Sequence, residues 1–364
     1  MKIAFINIYS GINNRGAESF AHELGNKLQE RSEVAFFQGG EKTPEQVMRV
    51  IQMNSPVTQP DSQISSGLLK KICKYLFLDK ANLRVLVFSL KILARLLNGG
   101  FDVVIPMNGF WQVLLMKIFQ PIRAYKIIVI GHSGPGWDER WNLYLKPDIF
   151  IATSEPAHEW AKRTSPWTRV ELIPYAIDEK KFLGAIPATV SLKKPVILCP
   201  AALVPYKRVE SAIQAVAGLK NASLLVLGKG PLAKKLQSLG SEKLKGRFLL
   251  KSVPHERIAA YYAAADVVTL PSEPQENSPM VFLESLAAGK LVVTTDTPRN
   301  RWMLGSAGKY CRPEHISEYT STLRKGLTES ALAKTQKILE RQQRRFSWFA
   351  VLNRYENLIH SLSA

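Results

Sequence analysis

Twice along this chain, short runs of apolar and β-branched residues alternate with longer stretches of helical period, and no other feature restricts the fold as much. In the first half the runs lie at Ile3 to Ile8, Val34 to Phe37, Val103 to Pro106, Ile127 to Ile130 and Ile149 to Ala152. In the second they lie at Val196 to Cys199, Ser223 to Leu227, Phe248 to Leu250, Val267 to Leu270 and Leu291 to Thr294. Strands that are apolar on both faces need cover on both sides, and intervening helices provide it, as in the parallel sheets of α/β proteins. Phe182 to Pro195 follows neither period and is rich in turn formers, so it reads as a linker. A chain of 364 residues also exceeds what one core of ordinary size holds. Two doubly wound domains are the expectation.

Cys73, Cys199 and Cys311 are scattered without CxxC spacing, which suggests neither a disulfide framework nor a thiolate zinc site. Met1 to Phe5 runs directly into the first apolar segment, without the order of a secretory signal. Uncharged runs such as Val103 to Met116 fall short of the about 20 residues a spanning helix needs. A cytoplasmic protein is expected. The net charge of +19 points to an anionic partner: nucleic acid, a membrane surface or an acidic substrate. No RNP aromatic pattern, zinc-finger spacing or basic zipper is present, so nucleic acid is the minor reading. Leu68 to Leu97 carries Lys70, Lys71, Lys74, Lys80, Arg84, Lys91 and Arg95 against Asp79 alone, interleaved with apolar residues. That mixture suits a peripheral, membrane-facing surface. Core-packed helices with solvated lysines would read the same way.

Paired α/β sheets bind ligands at their strand ends, so the loops there carry the chemistry. Ser10 to Gly16 does not supply the GxGxxG turn of a dehydrogenase, and no GxxxxGK[ST] loop is present. Gly228-Lys229-Gly230-Pro231 follows a strand but is weak by itself. The polar loop from Pro271 instead feeds a helix, whose opening amides suit phosphate. Glu276 stands before that helix and Glu284 about two turns inside it. Both would accept hydrogen bonds from sugar or ribose hydroxyls, with Lys207 and Arg208 offsetting their charge beside a diphosphate.

These pieces resemble the family 4 glycosyltransferases of GT-B fold, the glycosyl transferases group 1. The resemblance rests on Leu203-Val204-Pro205-Tyr206-Lys207-Arg208-Val209, Val226 to Pro231, Tyr261 to Val268, the E-x7-E element Glu276 to Glu284, and Phe346-Ser347-Trp348. It implies two facing Rossmann-like domains with parallel sheets and a central cleft. The acceptor-side domain would be 1–181, completed by a C-terminal helix 347–364, and the nucleotide-sugar domain 182–346. It further implies that Glu284 holds the ribose and Glu276 the transferred sugar. Lys207 and the amides of Met280 and Val281, with Asn277, Ser278, Pro279 and Arg208, would meet the rest of the donor. Gly228, Val253 and His255 would lie along the nucleotide, His255 where the family contacts the base. His132 matches the histidine that faces the sugar from the first domain. Gly16 resembles the glycine-rich loop that lets backbone approach the donor phosphate, with Arg15 in place of a second glycine.

By the same resemblance the reaction is retaining, with attack from the face on which the diphosphate departs and the leaving phosphate taking the acceptor proton. The donor would be a UDP-hexose on family frequency, and the acceptor a saccharide or lipid-linked saccharide, as in making a cell-surface or exported polysaccharide. No DxD pair stands out, so neither a catalytic metal nor another cofactor is expected. Two departures stand against the pattern: Ala201-Ala202-Leu203 replaces Gly-Arg-Leu, and Pro174-Tyr175-Ala176-Ile177-Asp178 replaces Asn-Gly-Ile-Asp. The missing arginine at Ala202, with the missing glycine at Arg15, keeps open a catalytically inactive nucleotide-sugar-binding or membrane-associated assembly protein of the same fold.

Overall fold

The computed structural model describes residues 1–12, 16–43, 46–53, 68–274, 276, 279–330 and 333–362. The chain divides into two compact units, Met1–Tyr175 with Leu352–Ala364, and Ala176–Val351.

In the first unit β1 (Lys2–Asn7) leads through α1 (Gly16–Leu28) to β2 (Glu33–Gln38) and β3 (Arg49–Gln52). Helices α2 (Leu68–Tyr75) and α3 (Lys80–Leu97) precede β4 (Val103–Pro106), and α4 (Phe110–Arg123) precedes β5 (Lys126–Gly131). Then come α5 (Trp137–Tyr144), β6 (Ile149–Ala152), α6 (Glu155–Thr164) and β7 (Val170–Leu172). The strands form a seven-stranded sheet in the order β3-β2-β1-β4-β5-β6-β7. Every recorded pairing in it is parallel. Ile3, Ala4, Phe5 and Ile6 of β1 are fully buried, which explains a strand with no polar alternation. One face packs against Phe88 and Ile92 of α3 and Val113 and Met116 of α4. Each such side chain contributes about 1.5 to 3 kcal/mol by leaving water. Helix α3 starts where Asp79 accepts hydrogen bonds from the amides of Ala81 and Asn82.

The second unit repeats the plan. Strand β8 (Val196–Pro200) is followed by a 3-10 turn at Pro205–Lys207, α7 (Val209–Ala217), β9 (Ser223–Leu227), α8 (Ala233–Leu244) and β10 (Phe248–Lys251). A 3-10 turn at His255–Arg257 and α9 (Ile258–Ala264) lead to β11 (Val267–Leu270), α10 (Met280–Ala287) and β12 (Val292–Thr295). Next come α11 (Pro298–Leu304), β13 (Gly308–Cys311), α12 (Ile316–Ser330), α13 (Ala333–Arg344) and α14 (Trp348–His360), whose last turns belong to the first unit. The six-stranded sheet runs β10-β9-β8-β11-β12-β13. In each sheet the order reverses beside the first strand, at β1/β4 and at β8/β11. A reversal opens a crevice at the strand ends, where α/β sheets bind ligands. The loops after β8 and β11, which carry Lys207 and Glu276, meet at the reversal of the second unit.

All three cysteines are free thiols. Among the described residues no helix is long and apolar enough to cross a membrane.

Candidate active site

The turn after β8 buries Lys207, and Arg208 then takes a left-handed backbone with φ 49° to open α7. The Lys207 ammonium forms a hydrogen-bonded ion pair with the Glu276 carboxylate and sits 5.3 Å from the ring centroid of Tyr206. The two groups to which the sequence assigned different parts of the donor thus face each other. Arg208 is likewise engaged, 3.5 Å from Glu273 and 3.2 Å from Glu314.

Glu284 lies inside α10 and is buried, with one carboxylate oxygen accepting the Tyr262 hydroxyl at 2.6 Å. Burial raises its pKa, opposed by that hydrogen bond and by the charge of His255. A buried carboxylate with spare acceptor capacity suits a pair of vicinal hydroxyls. Pro279 precedes α10, and Met280 and Val281 are its first residues, half-buried, at the end where a helix leaves amides without intrahelical acceptors. His255 is exposed and Val253 half-buried in the segment after β10. A Cβ on Gly228 would come within 1.9 Å of the Ala201 carbonyl oxygen, and the Gly228 amide donates to Lys251. The glycine therefore permits close approach of the turns after β8 and β9. Asn277, Ser278 and Arg15 lie outside the described residues, and Gly16 is the first residue of α1.

A residue that motif reading passed over completes this cluster. Arg299, buried near the start of α11, donates from Nη1 to the Pro274 carbonyl at 3.2 Å, and from Nε and Nη2 to the Asn300 side chain. Burial lowers its pKa to about 10, and the charge of Glu276 acts against that shift. Its signal in the sequence is an arginine in the turn after a buried strand, Thr297-Pro298-Arg299, which no motif flags.

In the first unit, His132 follows β5. Its Nδ1 is 2.6 Å from the Tyr175 hydroxyl, and burial lowers the ring pKa to about 4. The imidazole is therefore neutral at neutral pH, fit to exchange hydrogen bonds rather than to carry charge. Tyr175 belongs to the segment that departs from the family pattern, and it supplies the partner that orients the histidine. Glu139 of α5 accepts the Ser133 amide at 3.0 Å and the Asn142 side-chain amide at 3.0 Å, so it ties down the loop after His132. Burial raises the Glu139 pKa to about 7. Among the described residues, no group of three or more His, Cys, Asp or Glu side chains is placed to hold a metal.

Residues 187–344 match the family described as glycosyl transferases group 1. Relatives include an exopolysaccharide phosphotransferase of Streptomyces coelicolor, 28% identical over 201 residues, 52% of this chain and 20% of that protein. A GDP-mannose-dependent phosphatidylinositol monomannoside mannosyltransferase of Mycolicibacterium smegmatis is 26% identical over 153 residues, 37% of this chain and 40% of that one. The chain thus spans less than half the length of these relatives in alignment. Among solved structures, sucrose-phosphate synthase of Thermosynechococcus elongatus superimposes with a TM-score of 0.79 at 19% identity, over 99% of this chain and 98% of that one. HepE of Anabaena in complex with UDP gives 0.75 at 16% identity, over 99% and 100%. The fold is GT-B, as the resemblance implied.

Proposed function

We propose that this chain, a group 1 glycosyltransferase by the match of its second unit, moves a hexose with retention from a nucleotide sugar to a saccharide or lipid-linked acceptor. The observation that carries this reading is the arrangement at the β8/β11 reversal. There a buried glutamate held by a tyrosine and an ion-paired lysine and glutamate converge on the start of α10. In this reading Glu284 accepts the ribose hydroxyls and Glu276 the hydroxyls of the transferred sugar. Lys207 and the opening amides of α10 stabilise the diphosphate as it departs, a charge-directed contribution that preorganised donors supply without reorganisation. The acceptor oxygen bonds to the anomeric carbon as the bond to the phosphate oxygen breaks, and the acceptor proton passes to that phosphate. Neutral His132 serves as a hydrogen-bonding group toward the sugar.

UDP is the nucleotide favoured here, supported by the complex of HepE with UDP, and GDP is the competitor named by the mannosyltransferase relative. A panel of UDP- and GDP-sugars ranked by thermal shift selects between them, because a ligand at 100 times its Kd adds about 2.7 kcal/mol to apparent stability. With the selected donor, Glu276→Ala should abolish transfer while calorimetry still detects nucleoside diphosphate binding. Unchanged turnover would refute the role given to Glu276. An assembly protein that has lost catalysis, the reading favoured by Ala202 in place of the family arginine, would bind the nucleotide and leave every donor intact. The reading also includes assembly of a cell-surface or exported polysaccharide at the inner face of the plasma membrane, for which the exposed apolar and basic face of α3 is the support.

A further inference from the structure

Resting on that reading, we infer that Arg299 is a positioning residue that holds Glu276 and its loop in place once the donor draws Lys207 away. Lys207 and Glu276 form an ion pair. A diphosphate would compete for the lysine, and the half-buried carboxylate would then need another counter-charge, since a charge partly withdrawn from water is destabilised when its partner leaves. Arg299 is a further cation on that loop, donating to the Pro274 carbonyl at 3.2 Å two residues before Glu276, and the charge of Glu276 favours its protonated form.

Its geometry suits the task. Arg299 is 9% exposed, and its guanidinium is fixed at both ends, by the Pro274 carbonyl two residues before Glu276 and by Asn300. Asn300 is itself locked, donating to the Thr295 carbonyl at 2.8 Å and taking the Thr297 hydroxyl as acceptor for its amide at 3.1 Å. Three of the five guanidinium donors are thus used among the described residues, leaving N–H groups for a carboxylate or the sugar it holds. The strand β12 and helix α11 together deliver a rigid cation to a loop that otherwise carries acids at Glu273 and Glu276.

The test is a double-mutant cycle in the full chain, Arg299→Met and Glu276→Gln singly and together. Turnover is read with the donor chosen by the panel, and nucleotide binding with UDP or GDP alone. Arg299→Met should lower kcat by about 10- to 100-fold with nucleotide affinity within about twofold, as loss of a charged hydrogen bond of about 1.5 to 3 kcal/mol would give. Arg299→Lys should recover part of that loss. In the Glu276→Gln background Arg299→Met should cost little more, because a residue acting through Glu276 has nothing left to act on. Full additivity, unchanged kcat, or a loss confined to nucleotide affinity would each overturn the inference while the native chain still transfers sugar. A native chain that turns over no donor would overturn the functional reading and this inference with it. If Arg299→Met fails to fold, Arg299→Lys decides: wild-type kcat and wild-type dependence on Glu276 would count against the role.

Discussion

Tyr262 bears most directly on the proposed nucleotide grip, because its hydroxyl donates to the buried Glu284 carboxylate at 2.6 Å and favours the ionised form. Burial pushes the Glu284 pKa up and the tyrosine pulls it back. In the proposed role the ionised form is the stronger acceptor for the two ribose hydroxyls, since protonation turns one oxygen into a donor. Nucleotide affinity should therefore be full well above the raised pKa and fall as pH drops through it. Tyr262→Phe removes the opposing contribution, so the same loss should begin at higher pH. Affinity at neutral pH should also weaken by about 10- to 100-fold, for the about 1.5 to 3 kcal/mol of one lost hydrogen bond to a charge. Calorimetric titration of UDP across pH measures both effects, and an unshifted profile would remove Glu284 from the ribose. Sequence reading reached Glu284 through its spacing from Glu276. Tyr262 lies in the Tyr261 to Val268 stretch, where spacing assigns it no role, because its contact closes across 22 residues and depends on how α9 packs on α10.

Helix α5 and the loop that precedes it show how two titrations can hide each other. Its Glu139 has a pKa raised to about 7 by burial, so between about 4.5 and 7 the folded state holds a proton that the unfolded chain has released. Stability from that group is present at low pH and lost as pH rises through this window. His132, lowered to about 4, does the opposite: between about 4 and 6.5 the unfolded chain binds the extra proton, and stability rises with pH. Each contribution is on the order of 3 kcal/mol, so in the native first unit the two nearly cancel from pH 4.5 to 6.5. Glu139→Gln should expose a stability that climbs with pH, and His132→Gln one that declines, in melting curves of the first unit's transition. Parallel flat profiles for both variants would show that neither group is buried as described. Elements of this kind were legible to different depths. The central strands β1, β4, β8 and β11 announce themselves as continuous apolar runs. Of the four edge strands, β10 has an apolar run, FLL, that registers, whereas β3, β7 and β13, with sequences RVIQ, VEL and GKYC, carry charged or polar residues and no run long enough. An edge strand has one paired neighbour and one open side, so its composition follows solvent as much as the core.

At the scale of the whole molecule, the charge of +19 and an uncovered helix face point the same way. Helix α3 is apolar on both sides: Val85, Phe88, Ile92 and Leu96 enter the core, while Leu83, Val87 and Leu90 are 40%, 51% and 51% exposed. A helix apolar all round is ordinarily buried on all sides. Here the exposed stripe is flanked by Lys80, Lys91 and Arg95, and Ile118 and Ile122 extend the exposed apolar surface on α4, whose Arg123 reaches Asn98 at the end of α3. We propose that this face meets an anionic bilayer surface, with apolar side chains entering the headgroup region between basic residues, one of the two readings that Leu68 to Leu97 left open. Each basic residue near such a surface adds about 1 kcal/mol, so replacing Lys71, Lys74, Lys80 and Lys91 with Gln should lower partitioning onto vesicles of anionic phospholipid by about 100-fold or more. Raising salt should weaken native binding over the range where the screening length shortens from about 10 to 3 Å. Replacing Leu83, Val87 and Leu90 with Ser should weaken it at every salt concentration, because insertion rather than charge is then lost. The native melting transition, retained in both variants, separates these losses from unfolding. Binding that ignores salt and both sets of substitutions would exclude this face as the membrane contact. A change of oligomeric state on Ser substitution, with vesicle binding intact, would make the stripe the seat of a second copy of the chain.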